Sequence, residues 1–426
     1  MPRQTFPPVR RVAPGVDLLC VCEPRFKRAL LEIHVEVPLD GDSPARTLLV
    51  SVLEQGSAGH PSRLALARAL QEAWGADLDL WADRNGEVHR LTTRVSWVGE
   101  SLLPPGADVV SGLLPLAREV WEAPRRGEDG RPFRAEVVER EREHLVKRIR
   151  SLRDDRAAWA EQRFLAHMCA DEPYGRPPWG DEAAMAAVTG DDLERVRLAA
   201  LSGGRVLAVA VGPVEEEPIE EFLAEWFRDR AEPPPLPAVV QRRPGERREV
   251  REELPGEQAR FHYGFRCPLP EDEAGREALL LGVSVLGGGV HSRLFRKVRE
   301  ERSLAYGISA RLRSRKGLLT VAAGIQAEHA DEVRDRVDAE LADLRRAGPA
   351  QEELDHARRQ LEQRLVALSE SPGALAAYLV REEVLGLRRA PEDRRAALRS
   401  VTPAAVAAEL ERPIPDTVYL LAPTQP

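Results

Sequence analysis

The chain has 426 residues, 43% of them hydrophobic and 31% charged, with a formal net charge of −8. That length calls for two domains rather than one core, and the acidic balance argues against a nucleic-acid partner. The four cysteines (Cys20, Cys22, Cys169, Cys267) suggest no disulfide framework, and Cys20 and Cys22, two apart in an apparent strand, read as buried thiols. The first seventeen residues hold no apolar stretch of the kind a secretory leader needs. The longest uncharged apolar run, over residues 279–292, is too short and too Gly-rich to span a bilayer. A cytoplasmic protein with no membrane contact is therefore expected.

In chain order, alternation over residues 30–37 (LLEIHVEV) predicts a strand, and residues 45–53 a helix. A second short helix opens at Ser62-Arg63-Leu64, with Leu64, Ala67, Leu70 and Trp74 at helical spacing. A strand pair follows over residues 78–98, turning at Asn85-Gly86. The next helix, residues 136–152, interleaves Arg with Glu, the pattern of a solvated, ion-paired face. A strand over residues 205–211 closes this half. Residues 232–248 are rich in Pro and charge and read as a linker. The same order then recurs: strand 259–267, helix 276–286, a short helix from Ser292-Arg293-Leu294, and strands within 307–325. A helix bearing Val333, Val337, Leu341 and Leu344 stops at Gly348-Pro349. Another carries Leu354, Leu361, Leu365 and Leu368, and a strand over residues 417–422 ends the series.

The order recurs because the sequence does. Residues 38–64 (PLDGDSPARTLLVSVLEQGSAGHPSRL) and residues 268–294 (PLPEDEAGREALLLGVSVLGGGVHSRL) share Pro-Leu, a Gly-rich cluster and Ser-Arg-Leu at one ungapped offset of 230. The expected fold is α+β: two homologous domains, each a mostly antiparallel sheet with helices packed on one face, arranged as a clamshell. The expected divisions are residues 1–231, a linker at 232–248, and residues 249–426.

The segment over residues 287–310, GGGVHSRLFRKVREERSLAYGISA, holds a Gly-rich turn, Ser-Arg-Leu-Phe and a closing Leu-Ala-Tyr. It resembles the insulinase/pitrilysin family of zinc peptidases, which includes the mitochondrial processing peptidase. The similarity is strongest to bacterial members made as pairs, one subunit with zinc and one without, and it covers essentially the whole chain. The Gly287-Gly288-Gly289 run lacks the Lys-Ser/Thr of a phosphate loop, so it reads as a turn for close backbone packing.

The resemblance implies a test. Active members hold zinc on an HxxEH helix, where two His at i and i+4 chelate the metal and the Glu acts on its bound water. The matching window, counted back from Gly56-Ser57, has Thr47 and Ser51 at the His positions and Val50 at the Glu position. Where a downstream Glu-Glu would bring the third ligand, this chain has Lys147 and Arg148 before Asp154-Asp155. None of its nine His residues lie four apart. The zinc site is thus expected to be absent, with no cofactor in this chain and zinc in a partner subunit. Glu87 with His89, and Glu143 with His144, bring no third spaced ligand and read as structural. Glu54 reads as a helix-end surface residue.

Arg302 and Tyr306 match the family pair that binds the substrate backbone near the scissile bond, and both can donate hydrogen bonds to a peptide carbonyl or oxyanion. The other reading pairs Arg302 with Glu300 or Glu301 and packs Tyr306 in the core. The length of the matching motif favours the first. The resemblance therefore implies a non-catalytic subunit of a heterodimeric zinc metallopeptidase, inactive alone. Its partners would be a homologous zinc-bearing subunit and an unfolded peptide substrate, with a homodimer possible in isolation. The alternative is a stand-alone peptide-binding or scaffold protein without a role in proteolysis. A zinc peptidase with an unrecognised site is disfavoured by the His spacing.

Overall fold

The computed structural model of the chain describes residues 5–128 and 130–424; the first four residues of the N-terminal stretch read above lie outside them. In the first half, strands β1 (Arg10–Ala13), β2 (Val16–Cys22) and β3 (Arg28–Pro38) lead into helices α1 (Ser43–Leu53) and α2 (Arg63–Glu72). The hairpin β4 (Asp77–Asn85) and β5 (Val88–Val98) follows, then α3 (Val110–Glu122), α4 (Ala135–Ser151), α5 (Arg156–Met168), α6 (Glu182–Ala186), α7 (Gly190–Gly203), β6 (Arg205–Gly212) and α8 (Glu216–Trp226). The second half runs β7 (Arg248–Leu254), β8 (Ala259–Arg266), α9 (Glu273–Gly287), β9 (Ala305–Arg313), β10 (Leu318–Ile325), α10 (Ala330–Ala347) and α11 (Gln351–Val366). It closes with α12 (Pro372–Val384), α13 (Pro391–Ser400), α14 (Pro403–Glu409) and β11 (Ile414–Pro423).

The strands form two sheets, ordered β1-β2-β6-β3-β5-β4 and β7-β11-β8-β10-β9. Dropping β1, the two orders coincide element for element, so the repeated sequence folds into a repeated sheet. Pairing is antiparallel except β2 with β6 and β11 with β7. The fold is α+β, as the mixture of hairpins and helices implied.

Each sheet is buried on both faces, by different halves of the chain. On β6, Val206, Ala208 and Ala210 join α1, α3, α7 and α8 in one apolar cluster. The alternate residues Leu207, Val209 and Val211 belong instead to the cluster containing Leu375, Ala376 and Leu379 of α12. This is the two-residue period of a strand dividing its side chains between two cores. It also explains why β6 reads as an unbroken apolar run, VLAVAV. The second sheet mirrors the arrangement: α9, α10 and α11 cover one face, and α5 from the first half covers the other through Phe164, Leu165 and Met168 against Leu318, Tyr419 and Leu421. Gly264 on β8 makes room for that helix, because a Cβ there would stand 2.6 Å from the Phe164 ring and 2.4 Å from the Met168 sulfur. Its counterpart in the Gly-rich turn, Gly287, lets α9 meet β9, where a Cβ would lie 2.5 Å from the Ala310 nitrogen.

No helix or strand forms between Trp226 and Arg248, yet the segment is tied down along its length. Glu232 accepts from Arg11 at 2.8 Å and from the Gly15 amide at 3.1 Å. Arg242 pairs with Asp171 at 2.9 Å, and the Val240 carbonyl accepts from Lys316 at 2.8 Å. The cysteines need a correction. Cys169 and Cys267 are buried, but Cys22 is exposed and Cys20 half-covered, because β2 lies one strand from the sheet edge. No disulfide joins any of the four. Among the described residues no helix is long and apolar enough to cross a membrane.

Candidate functional site

The window that would carry HxxEH lies on α1, and its side chains are engaged elsewhere. The Thr47 hydroxyl donates to the Pro178 carbonyl at 3.0 Å. Val50 is buried in the first-half core. Ser51 is half-buried, and its carbonyl accepts from Gln55 at 3.3 Å. On α4, Arg148 is exposed, and Lys147 pairs with Glu143 at 3.7 Å. Zinc takes thiolate, imidazole or carboxylate donors. Two hydroxyls, an isopropyl group and a basic helix face do not fit that ion. Among the described residues, no three His, Cys, Asp or Glu side chains converge as a metal requires.

Glu54 is at the end of α1, but it is half-buried rather than a surface residue. Its carboxylate accepts from the Leu80 amide at 3.0 Å, fastening the helix to β4, and burial raises its pKa. Glu87 and His89 do not act together. Lys316 takes the Glu87 carboxylate, while both ring nitrogens of His89 are buried without a hydrogen-bond partner. Burial holds the His89 imidazole at a pKa of about 4.

The Ser-Arg-Leu-Phe segment becomes a π-helical turn over Phe295–Glu300, a geometry that occurs often at functional positions. Three residues beyond it is Ser303, a non-glycine residue in the left-handed region at φ 54°. Arg302 ion-pairs with Glu332 at 2.9 Å, not with Glu300 or Glu301. Tyr306 is not core: it is 60% exposed at the start of β9, and its hydroxyl accepts from Gln326 at 3.0 Å. Tyr306 lines a recess of about 300 Å³ with Arg299, Ser303 and Gln326, and Arg302 is not among its walls.

A cavity of about 1080 Å³ lies between the two halves. Each sheet presents its edge strand to it. Trp81, Asp83, Arg84 and Asn85 come from β4, and residues 308–312 come from β9. Helices α9, α11 and α12 supply Val283, Leu361 and Val380. A second recess of about 560 Å³ shares Phe295, Ile308, Ser309 and Arg311 with the first, so the two adjoin along β9. Neither Arg302 nor Tyr306 lines this chamber. On the first-half wall, Glu32 accepts from Arg94 at 2.5 Å and meets His34 at 3.1 Å. Although burial pushes the Glu32 carboxyl up, hydrogen bonds from His34 and Arg94 prevail and hold its pKa below the usual range.

Comparison with known proteins agrees with this geometry. Residues 187–361 match the family model described as the Peptidase M16 inactive domain. The "Probable inactive metalloprotease YmfF" of Bacillus subtilis is 24% identical over 415 residues, covering 96% of each chain. An uncharacterised zinc protease of Mycobacterium tuberculosis is 30% identical over 257 residues, 59% of this chain and 58% of that one. A conserved protein from Enterococcus faecalis superposes with a TM-score of 0.90 at 22% identity, over 98% of this chain and 99% of that one. The peptidase M16 inactive domain from Pseudomonas fluorescens superposes with a TM-score of 0.82 at 20% identity, over 100% and 99%. Residues 187–361 thus match an M16 (insulinase/pitrilysin) peptidase domain of the inactive kind, in a chain that lacks the HxxEH zinc motif.

Proposed function

We propose that the chain is a non-catalytic subunit of a two-chain zinc metallopeptidase of the cytoplasm, divided into residues 1–231 and 249–426 by the segment at 232–248. The partner carries HxxEH and the zinc; this chain contributes Arg302, Tyr306 and the chamber wall that holds an unfolded peptide. One contrast carries the reading. At the lost zinc positions of α1, Val50 is buried in packing and Thr47 and Ser51 are half-buried, while Tyr306 is left 60% exposed with a hydroxyl free to donate.

The test is co-expression with a homologous chain that carries HxxEH. The pair should cleave unfolded peptides, and this chain alone should not. Arg302→Ala and Tyr306→Phe in this chain should each lower kcat of the pair by about a hundredfold, the usual cost of losing one oxyanion donor. Full partner activity with either variant would sink the subunit role and leave a stand-alone peptide-binding or scaffold protein.

A further inference from the structure

Most arginines in this chain are compensated. On α4, Arg142 pairs with Glu139; on α11, Arg358 pairs with Asp355. In the chamber between the halves, paired and unpaired arginines lie side by side. Four of its arginines have carboxylate partners: Arg90 with Asp83, Arg94 with Glu32, Arg313 with Glu161 and Arg315 with Glu36. Five others, Arg84, Arg260, Arg311, Arg364 and Arg381, line the two adjoining recesses, and none forms an ion pair with an acidic side chain among the described residues. Arg84 has only neutral partners, the carbonyls of Tyr174 at 2.5 Å and Arg176 at 2.9 Å. The Nε of Arg260 is buried with no hydrogen-bond partner. All five remain at least partly accessible.

Uncompensated guanidinium groups gathered in an enclosed space repel one another and are desolvated at a cost. Here they gather inside a chain whose net charge is −8. The ligand that would relieve them is anionic. Its class follows from what else lines the chamber. Nucleic acid would want open aromatic faces for its bases. Of the aromatic rings lining the larger recess, Trp81 is covered by the Arg94 guanidinium at 4.8 Å and Phe295 by that of Arg299 at 4.6 Å, and His34 is buried. What remains is aliphatic surface (Leu280, Val384, Leu385) beside the arginines, and two sheet-edge strands with backbone groups open to a further strand. Those features suit an extended polypeptide.

We propose that the chamber selects acidic peptide segments, with Arg84, Arg260, Arg311, Arg364 and Arg381 pairing to Asp and Glu side chains. This rests on the reading of the chamber as a peptide-holding wall and adds a sequence preference to it. The full chain is titrated against fluorescein-labelled unstructured peptides of equal length, rich in Glu, Gln or Lys, by fluorescence anisotropy. The Glu-rich peptide should bind best, and high salt should weaken it most. The triple variant Arg311→Ala/Arg364→Ala/Arg381→Ala should lose about tenfold of that affinity, at a modest contribution per partly exposed pair. The triple Lys variant, which keeps the charge, should retain most of it, and matched melting temperatures should show both variants folded. Equal binding of the three peptides, or a preference for Lys, overturns the selectivity while leaving a peptide chamber standing. Failure to bind any of them overturns both. Tighter binding of a single-stranded oligonucleotide than of the Glu-rich peptide overturns the assignment to peptide.

Discussion

His89 and His262 are imidazoles held uncharged inside the protein, each with its pKa lowered to about 4 by burial. An unfolded histidine takes up its proton near pH 6.5. As the pH falls through that value the unfolded state gains protons that the folded state refuses, and stability drops; the loss levels off below about pH 4. Between pH 7 and pH 5 each histidine should cost about 2 kcal/mol, visible as a fall in the urea midpoint. His262 stacks on Phe164 with ring centroids 5.1 Å apart. In His262→Phe, which preserves the stack, about half of that fall should disappear; an unchanged pH dependence would refute the assignment. Glu252 acts in the same direction, but in a lower pH window. Despite burial, hydrogen bonds from Arg163, His167 and Tyr419 hold its pKa down to about 2. Its contribution is therefore intact near neutrality and lost only as the pH falls toward that value.

At the scale of the element, α1 shows why the lost zinc motif is not one step from recovery. In Thr47→His/Val50→Glu/Ser51→His the HxxEH pattern is restored in sequence, but the new carboxylate stands where Val50 is buried among aliphatic side chains. An unpaired buried carboxylate costs about 3 kcal/mol or more, and α4 offers Lys147 and Arg148 where a third ligand is needed. The triple variant should unfold at lower urea concentration and hold less than one zinc per chain by elemental analysis; stoichiometric zinc would refute this account. The seat of α5 gives a second case. In Gly264→Ala the added methyl meets Phe164 and Met168, and overpacking of this kind costs about 1–3 kcal/mol. Urea denaturation would show it, and an unperturbed midpoint would mean that α5 shifts freely.

In the whole molecule, the halves are joined by more than the segment between them. Each lends one helix to the far face of the other's sheet, and a buried ionic cluster fastens the same boundary. Lys316, with a side chain 1% exposed, lies between Glu87 and Glu172 of the first half, while Arg266 bonds Glu172 at 2.7 Å and Asp416 at 2.9 Å. Such a pair is weak evidence of net stabilisation, but removing one partner strands the other charge. Lys316→Met should therefore cost about 3–5 kcal/mol, and Lys316→Met/Glu87→Met should recover about half of it, since Glu172 keeps Arg266. Loss of less than 1 kcal/mol in the single variant, by urea denaturation, would show about as much solvent at the cluster as at a surface pair.

Much of this architecture was legible in the residues because it is written in local periodicity. The repeated Pro-Leu and Ser-Arg-Leu landmarks, the Asn85-Gly86 turn and the apolar stripe of α10 each fix one element without reference to any other. The loss of HxxEH is likewise a property of five adjacent positions. The strand β7 was missed because, on a sheet edge, REVREEL needs no apolar run to mark it as a strand. The exchange of α5 and α12 was hidden because periodicity says that a helix has an apolar face, not which sheet receives it. Tertiary structure alone decided that Tyr306 is exposed while Glu54 is half-buried. It also brought Arg84, Arg260, Arg311, Arg364 and Arg381 around one chamber from distant parts of the chain. Charge complementarity acts through space, and only the fold brings these residues close enough for it to act.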